Sequence, residues 1–334
     1  MIAIRSFHSC FAPEMNDYLV ICKNTLGEST FSTRFFDLSE FDTYLTDNGI
    51  SRDGLTEEVI SRWVASYKNK LHISTIQGKV TSIRRFIHYL HAEGIPAYLP
   101  PPLKRKDDYL PYFFSEKDLK LIFQLADSIR ANKNQPDINI QLKYPTLLRM
   151  LYGCGFRLGE VRNLKMGDID LDLGTVRLKK TKFNIERLVP MHPSLVLILQ
   201  RYCHLMGIVG KPDAWVFPGT DNSKPVTERV VRRKFETILR NAGISVKSRE
   251  FRRRGVCLHC FRHSFAVRSF KKGEAEGRHL DTMVPFLSIY LGHKSLRETE
   301  KYLKFDATEI FPETMDSFAQ FTEGMFPEVS YEEE

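Results

Sequence analysis

Leu258-His259-Cys260-Phe261-Arg262-His263-Ser264-Phe265, then Tyr290-Leu291-Gly292-His293-Lys294-Ser295, and then Tyr302 nine residues after His293, is the stretch on which the reading of this chain turns. His259 and Arg262 stand three apart on a predicted helix and so share one face. Tyr302 falls on a predicted C-terminal helix. Taken singly each piece has a bland account: a satisfied histidine, a surface arginine, an exposed tyrosine. Cys257, His259, Cys260 and His263 also invite a zinc reading. Their spacing is too compressed for an ordinary four-ligand site and no second cysteine pair completes one, so no metal is expected.

Two further pieces lie upstream. Gly153-Cys154-Gly155-Phe156-Arg157-Leu158-Gly159-Glu160-Val161 reads as a glycine-rich turn opening a helix. An arginine at such an N-terminus can aim its planar fork at a phosphate, where free helix N–H groups also favour an anion. Glu160, one turn on, can hold that guanidinium. Thr181-Lys182 lies in the tight connection between two short predicted strands, Thr175–Leu178 and Arg187–Met191. A lysine there is ordinarily solvated, but at a reaction centre its ammonium could give a proton to a leaving oxygen.

In order, Arg157, Lys182, His259-x-x-Arg262, His293 and Tyr302 resemble the signature of the tyrosine recombinase (phage integrase) family. The local frames are similar too: GFRLGE around Arg157, HCFRHSFA around Arg262, and LGHKS before the nine-residue step. Ile185-Glu186-Arg187-Leu188-Val189-Pro190 resembles the strand that follows the family's catalytic lysine, and Trp215-Val216-Phe217-Pro218-Gly219 its mid-domain landmark. The resemblance spans about residues 11–310. One departure concerns the lysine. Many members have a Gly-Lys-Gly-like tip, whereas this chain has Lys179-Lys180-Thr181-Lys182; Lys182 is chosen because it sits in the turn before the second strand, with Lys180 second.

The resemblance implies a fold that is mainly α with a small antiparallel β-sheet, built as an N-terminal helical core-binding (SAM-like) domain and a C-terminal catalytic domain. The residues agree. Four helices are predicted in residues 1–100: Ala12–Leu26 stopped by Gly27, Leu38–Asp47 beginning after Asp37, one opened by Thr56-Glu57-Glu58, and one from Ser74 to Gly94. The last places Lys79, Arg84 and Arg85 opposite its apolar face, as candidate phosphate contacts. Residues 101–111 follow as a basic, proline-rich linker whose Lys104, Arg105 and Lys106 could lie along a nucleic acid backbone. In the catalytic part, 112–310, Ser115 is expected to cap Glu116–Asp127, and Tyr144–Tyr152 forms a further helix. Pro225–Asn241 is markedly basic, with Arg229, Arg232 and Arg233 as DNA-contact candidates and Val230, Val231, Phe235, Ile238 and Leu239 on its apolar side. Residues 311–334 form an acidic tail with an apolar ridge, suited to docking on a neighbouring protomer or folding back on its own.

Charge supports a polyanionic partner. Net charge is +8, yet residues 305–334 carry nine acidic residues and no Lys or Arg, so the remainder is near +17. A body that basic releases condensed counterions on neutralising phosphates. Six cysteines in 334 residues do not make a disulfide scaffold and suit a reducing cytoplasm. No run of about 18 apolar residues occurs, so no membrane span is expected, and the first residues do not read as a signal peptide.

The chemistry explains the residue types. Arg157, Arg262 and His293 would hold the non-bridging oxygens of a phosphodiester, each such donor being worth a few kcal/mol. Tyr302 would attack; its phenolate fraction at pH 7 is about 10⁻³ unless neighbouring cations and His259 as proton acceptor assist it. Lys182 would protonate the departing oxygen. The family resemblance implies a covalent 3′-phosphotyrosine, rejoined without ATP or metal, and a tetramer closing as clamps on two double-stranded DNA recombination sites. No cofactor is expected. A type IB topoisomerase would use similar groups, but the N-terminal helices and the LGHKS step favour a recombinase. A non-catalytic DNA-binding regulator would account for the charge and not for six reactive residues in order. A metal-dependent nuclease would want a carboxylate cluster that is not found. Within the class, movement of a mobile element is preferred over Xer-like chromosome or plasmid resolution.

Overall fold

The computed structural model describes residues 7–103, 112–131, 139–179, 186–245 and 255–304. Lys104, Arg105 and Lys106 of the linker, Lys180, Thr181 and Lys182 of the strand connection, and the tail 311–334 lie outside the described residues. The chain divides into two units, Met1–Asp107 and Asp108–Glu334. Among the described residues no helix is long and apolar enough to cross a membrane.

The first unit holds four helices, α1 (Ala12–Thr25), α2 (Glu28–Asp47), α3 (Glu57–Ala65) and α4 (Ile73–Ala92). The apolar positions that recur at helical spacing are the ones that meet inside it. Phe11, Met15, Leu38, Phe41, Leu45, Trp63, Ile83, Phe86 and Leu90 are all buried in a single core. Thr56 caps α3 by accepting from the Val59 N–H, which satisfies a donor the first turn leaves orphaned.

Two expectations are corrected here. Helix α2 starts ten residues earlier than Asp37 suggested, with Gly27 as its N-cap in extended conformation. Asp37 is instead a buried mid-helix carboxylate that accepts from the Ser82 hydroxyl and pairs with Lys79 at 3.5 Å. Lys79 also pairs with Glu40, and its side chain is only 11% exposed. It ties α4 to α2 and is no solvated basic face. Arg84 is half-buried and Arg85 exposed.

The second unit holds α5 (Glu116–Asp127), α6 (Ile140–Gly153), α7 (Leu158–Arg162), β1 (Ile169–Asp170), β2 (Thr175–Leu178), β3 (Arg187–Pro190), α8 (Pro193–Leu205), α9 (Glu228–Asn241), α10 (His259–Ala275), α11 (Leu280–Leu291) and α12 (Leu296–Lys304). Ser115 and Asp118 make a reciprocal capping box at the start of α5. Helix α6 begins four residues before Tyr144 and carries Pro145 inside it. Helix α9 starts after its cap Thr227, and Val230 faces solvent rather than the apolar side.

The strands form an antiparallel sheet in the order β1-β2-β3, with Val176 opposite Val189 and Leu178 opposite Arg187. Period-two alternation turns Val176, Leu178 and Val189 into the core. Strand β1, two residues long, was not anticipated. Trp215-Val216-Phe217 runs through the centre, where Val216 and Phe217 are wholly buried and the Tyr202 hydroxyl donates to the Val216 carbonyl at 2.6 Å. Helices α10, α11 and α12 pack on one another around Phe270, Leu291 and Tyr302.

Candidate active site

The N-cap of α7 is Arg157, and its own backbone N–H donates to Glu160 Oε2 at 2.9 Å. Its guanidinium donates to Glu160 Oε1 at 3.1 Å and to the Gly292 carbonyl at 3.2 Å. Arg157 is thereby suspended between the start of α7 and the end of α11, with its side chain 21% exposed.

Arg262 enters from the first turn of α10 and is 1% exposed. Its two terminal nitrogens donate to the carbonyls of Gly155 (2.9 Å) and Leu291 (2.6 Å). Burial, and then the nearby Arg157 cation, lower its pKa to about 10, which leaves it charged at neutral pH. Gly155 must be glycine for this approach. It has φ +60°, and a Cβ there would stand 2.6 Å from the Phe265 ring of α10.

Helix α11 ends on Gly292 in the left-handed conformation, and the next residue is His293. The His293 Nδ1 lies 2.6 Å from the Thr299 hydroxyl of α12, which is fully buried. Burial, followed by Arg262 and Arg157, pushes the imidazole down to about 3, so it is neutral. Three residues after Thr299, Tyr302 points inward at 5% exposure. Its ring is 5.4 Å from His263 and 6.2 Å from His293, and the Arg262 cation beside it favours the phenolate.

The geometry therefore brings Arg157, Arg262, His293 and Tyr302 together. His259 is on the exposed side of α10, its ring edge-on to His263 at 4.7 Å. The ring contacts run His259–His263–Tyr302, which inserts His263 between the two residues expected to exchange a proton. His263 is neutral as well, lowered to about 3 by burial and then by His259, Arg262 and His293. The tyrosine itself corrects an expectation. Arg262 and Arg157 do favour the phenolate, but burial outweighs them, and the phenol is held above its ordinary value near 10.

Two more residues were missed. Arg187, the first residue of β3, donates to both Glu160 oxygens (3.1 and 2.9 Å) and to the Tyr290 carbonyl at 2.9 Å. Burial alone would raise the Glu160 carboxyl, but Arg187 and Arg157 together hold it below the usual carboxylate range. Thr299 is the other. The signal for Arg187 was available, because it shares a strand face with the buried Val189, and a charge in that register needs a partner. Of the lysines in the strand connection, Lys179 is described and pairs with Asp168 at 3.1 Å; Lys182 and Lys180 are outside the described residues. On α9, Arg229, Arg232 and Arg233 are exposed, and Arg232 reaches back to Glu228 at 2.7 Å. Among the described residues no three His, Cys, Asp or Glu side chains are grouped to hold a metal.

The second unit thus gathers two arginines, a histidine and a buried tyrosine at one point, where the end of α11 and the start of α7 meet. The sequence profile of the phage integrase family matches residues 113–309, and the chain belongs to that family, the tyrosine recombinases that break and rejoin DNA at specific sites. It is 27% identical over 288 residues to y4rB of Sinorhizobium fredii (strain NBRC 101917 / NGR234), a protein named as an integrase/recombinase, covering 83% of this chain and 88% of that one. With the tyrosine recombinase XerC of Staphylococcus carnosus (strain TM300) it shares 23% identity over 85% of this chain and 89% of the other. Its fold is shared with the XerH site-specific recombinase, solved as a post-cleavage complex with a palindromic difH substrate, at a TM-score of 0.67, 20% identity and coverage of 92% and 84% of the two chains.

Proposed function

We propose that Tyr302 is the nucleophile, attacking a DNA phosphodiester to leave a covalent 3′-phosphotyrosine and a free 5′-hydroxyl. The observation that carries this is the inward-facing Tyr302 ring beside His263 and His293, with Arg262 and Arg157 held on the adjoining Leu291 and Gly292 carbonyls. The two arginines hold the non-bridging oxygens and take up the charge that grows on them in the transition state. In this reading the Thr299 hydroxyl donates to Nδ1, which leaves the His293 proton on Nε2 to serve as a third donor. Cationic neighbours favour the phenolate against the burial that opposes it, and His259 is the acceptor of the phenolic proton. Lys182, by its place in the sequence, protonates the departing 5′ oxygen. The phosphotyrosine conserves the bond energy, so rejoining needs neither ATP nor a metal.

The substrate is double-stranded DNA carrying specific recombination sites, contacted by Arg229, Arg232 and Arg233 of α9, by Arg84 and Arg85 of the N-terminal unit and by Lys104, Arg105 and Lys106 of the linker. Two duplexes present four strands, and one tyrosine per strand calls for a tetramer. The biological outcome is integration, excision or transposition of a mobile element; the collinear match to XerC supports a second reading, resolution of chromosomes or plasmids. The test is to trap the intermediate. A pool of randomised duplexes nicked near the cleavage point, so that cutting sheds a short fragment, is incubated with the protein in EDTA. An SDS-stable adduct that vanishes in Tyr302→Phe is expected. DNA binding without an adduct would favour a non-catalytic regulator, and an adduct surviving in the variant would place the nucleophile elsewhere. Sequencing the trapped DNA separates element ends from a chromosomal resolution site.

A further inference from the structure

Cys257 and Cys260 stand one turn apart where the chain enters α10, and His259 lies between them. Their sulfurs are 3.9 Å apart, and Cys260 Sγ also accepts the Cys257 backbone N–H at 3.3 Å. The two thiols differ. Cys257 is half-buried and reached from solvent, whereas Cys260 is 1% exposed and packed in the core of the second unit. The hydrogen bond from Cys260, against the opposing pull of burial, lowers the Cys257 thiol to about 6; the N–H groups of His259 and Cys260 and the Arg232 cation add to this. The same hydrogen bond, with burial, drives Cys260 upward and keeps it protonated. Of the other cysteines, burial raises Cys154 to about 12 and Cys203 to about 11, and it raises Cys10 as well. Cys257 is thus the thiol with the character of a nucleophile, and a resolving thiol stands directly behind it.

We propose that Cys257 and Cys260 form an oxidisable dithiol that closes to a disulfide under hydrogen peroxide and, in closing, shifts His259 and slows strand cleavage. The first step is attack of the Cys257 thiolate on a peroxide oxygen. The O–O bond breaks, hydroxide leaves and takes a proton to become water, and Cys257 is left as a sulfenic acid. Cys260 then attacks that sulfur, the S–O bond breaks, and the hydroxyl departs with the Cys260 proton as a second water. Two electrons have passed from the sulfur pair to one peroxide. A thiol reductant reverses the change by exchange.

Closure has a definite mechanical effect. Bonded sulfurs sit about 2 Å apart, so the pair must approach by roughly a further 2 Å. Cys260 and Leu258 are both seated among core side chains, so the movement falls on Cys257 and strains the first turn of α10, which carries His259. His259 then loses its edge-on seat on the His263 ring. Misplacing a reacting group by ~1 Å can slow a reaction about 10²-fold. The disulfide itself depends only on the two sulfurs; its effect on cleavage rests on the role proposed above for His259.

The experiment uses the full chain, reduced or treated with hydrogen peroxide, and reads two things independently. Peptide mass mapping under non-reducing conditions is expected to show the 257–260 link as the loss of two hydrogens. Adduct formation on the nicked duplex is expected to fall by about 10- to 100-fold and to return with dithiothreitol. Cys257→Ser should keep its rate under peroxide, and Cys260→Ser should stop at the sulfenic acid. The proposal is overturned by a missing link, by a link with unchanged rate, or by Cys257→Ser losing rate as the parent does. Should the reduced protein form no adduct at all, the Tyr302 reading fails while the mass map still decides the dithiol.

Discussion

At the residue scale the determining group is Glu160, a buried carboxylate shared by two arginines that do different work. Arg157 is offered to the site, while Arg187 is 6% exposed in its side chain and holds the carboxylate from behind. Arg187→Met leaves a buried charge with one partner fewer. It should lower unfolding stability by roughly 3–5 kcal/mol in urea titration, part of which Glu160→Gln on top should restore. Adduct formation should fall further than stability alone explains, because Glu160 then no longer fixes Arg157. Thr299→Val makes a cleaner probe. It is nearly isosteric, so the melting curve should move little, while single-turnover cleavage drops about tenfold or more as His293 loses the partner that sets its tautomer. A large loss of stability in place of a rate effect would count against that role. Thr299 marks the limit of what the sequence carries, and Arg187 shows only as a charge in a buried register, with no partner named. Arg157, Arg262, His293 and Tyr302 were legible because their local frames are distinctive, whereas Arg187 and Thr299 act through partners 27 and six residues away.

At the scale of elements, helix ends set the site. Ser115 and Thr56 each cap the helix their sequence announces, since a cap is a contact over three residues and the chain spells it out, whereas Thr227 caps α9 inside the span expected from Pro225. The start of α2 was misjudged for the complementary reason. Asp37 resembles a cap, and only Lys79 and Ser82, on α4, reveal it as an interior carboxylate. The two-residue β1 is too short for any periodicity to register. The most consequential terminus is that of α11. Gly292 has φ +66°, and a Cβ there would fall 2.5 Å from Arg187 Nη1. Gly292→Ala should therefore cost about 1–2 kcal/mol for the left-handed backbone alone. It should cost more where Arg187 is displaced, and a lowered thermal midpoint together with a weaker adduct is the expected pair of readings. An unchanged midpoint would show that the loop relaxes freely.

For the whole molecule, buried titratable groups set the response to pH. His263 and His293 are both held near 3 in the fold, against about 6.5 in an unfolded chain. Between those values the unfolded chain binds protons that the folded one refuses, so stability is fully present above about pH 6.5 and is lost as pH falls toward 3. Glu160, whose pKa is lowered in the fold, adds its own loss below the ordinary carboxylate value. Thermal melts should thus shift down between about pH 7.5 and pH 5.5. His293→Ala should flatten part of the shift, and a melt indifferent to pH in this range would contradict the neutral, buried histidines.

Arg262 gives the fold a peculiar economy. Its guanidinium laces together the Gly155 turn and the Leu291 carbonyl at the end of α11, two segments more than a hundred residues apart in the chain. The cation proposed to meet the phosphate is therefore also the knot that keeps these segments from parting. A descendant that gave up DNA chemistry would not be at liberty to discard it. Architecture alone would go on conserving this arginine, and its presence in a relative testifies to the shape of the molecule before it testifies to catalysis.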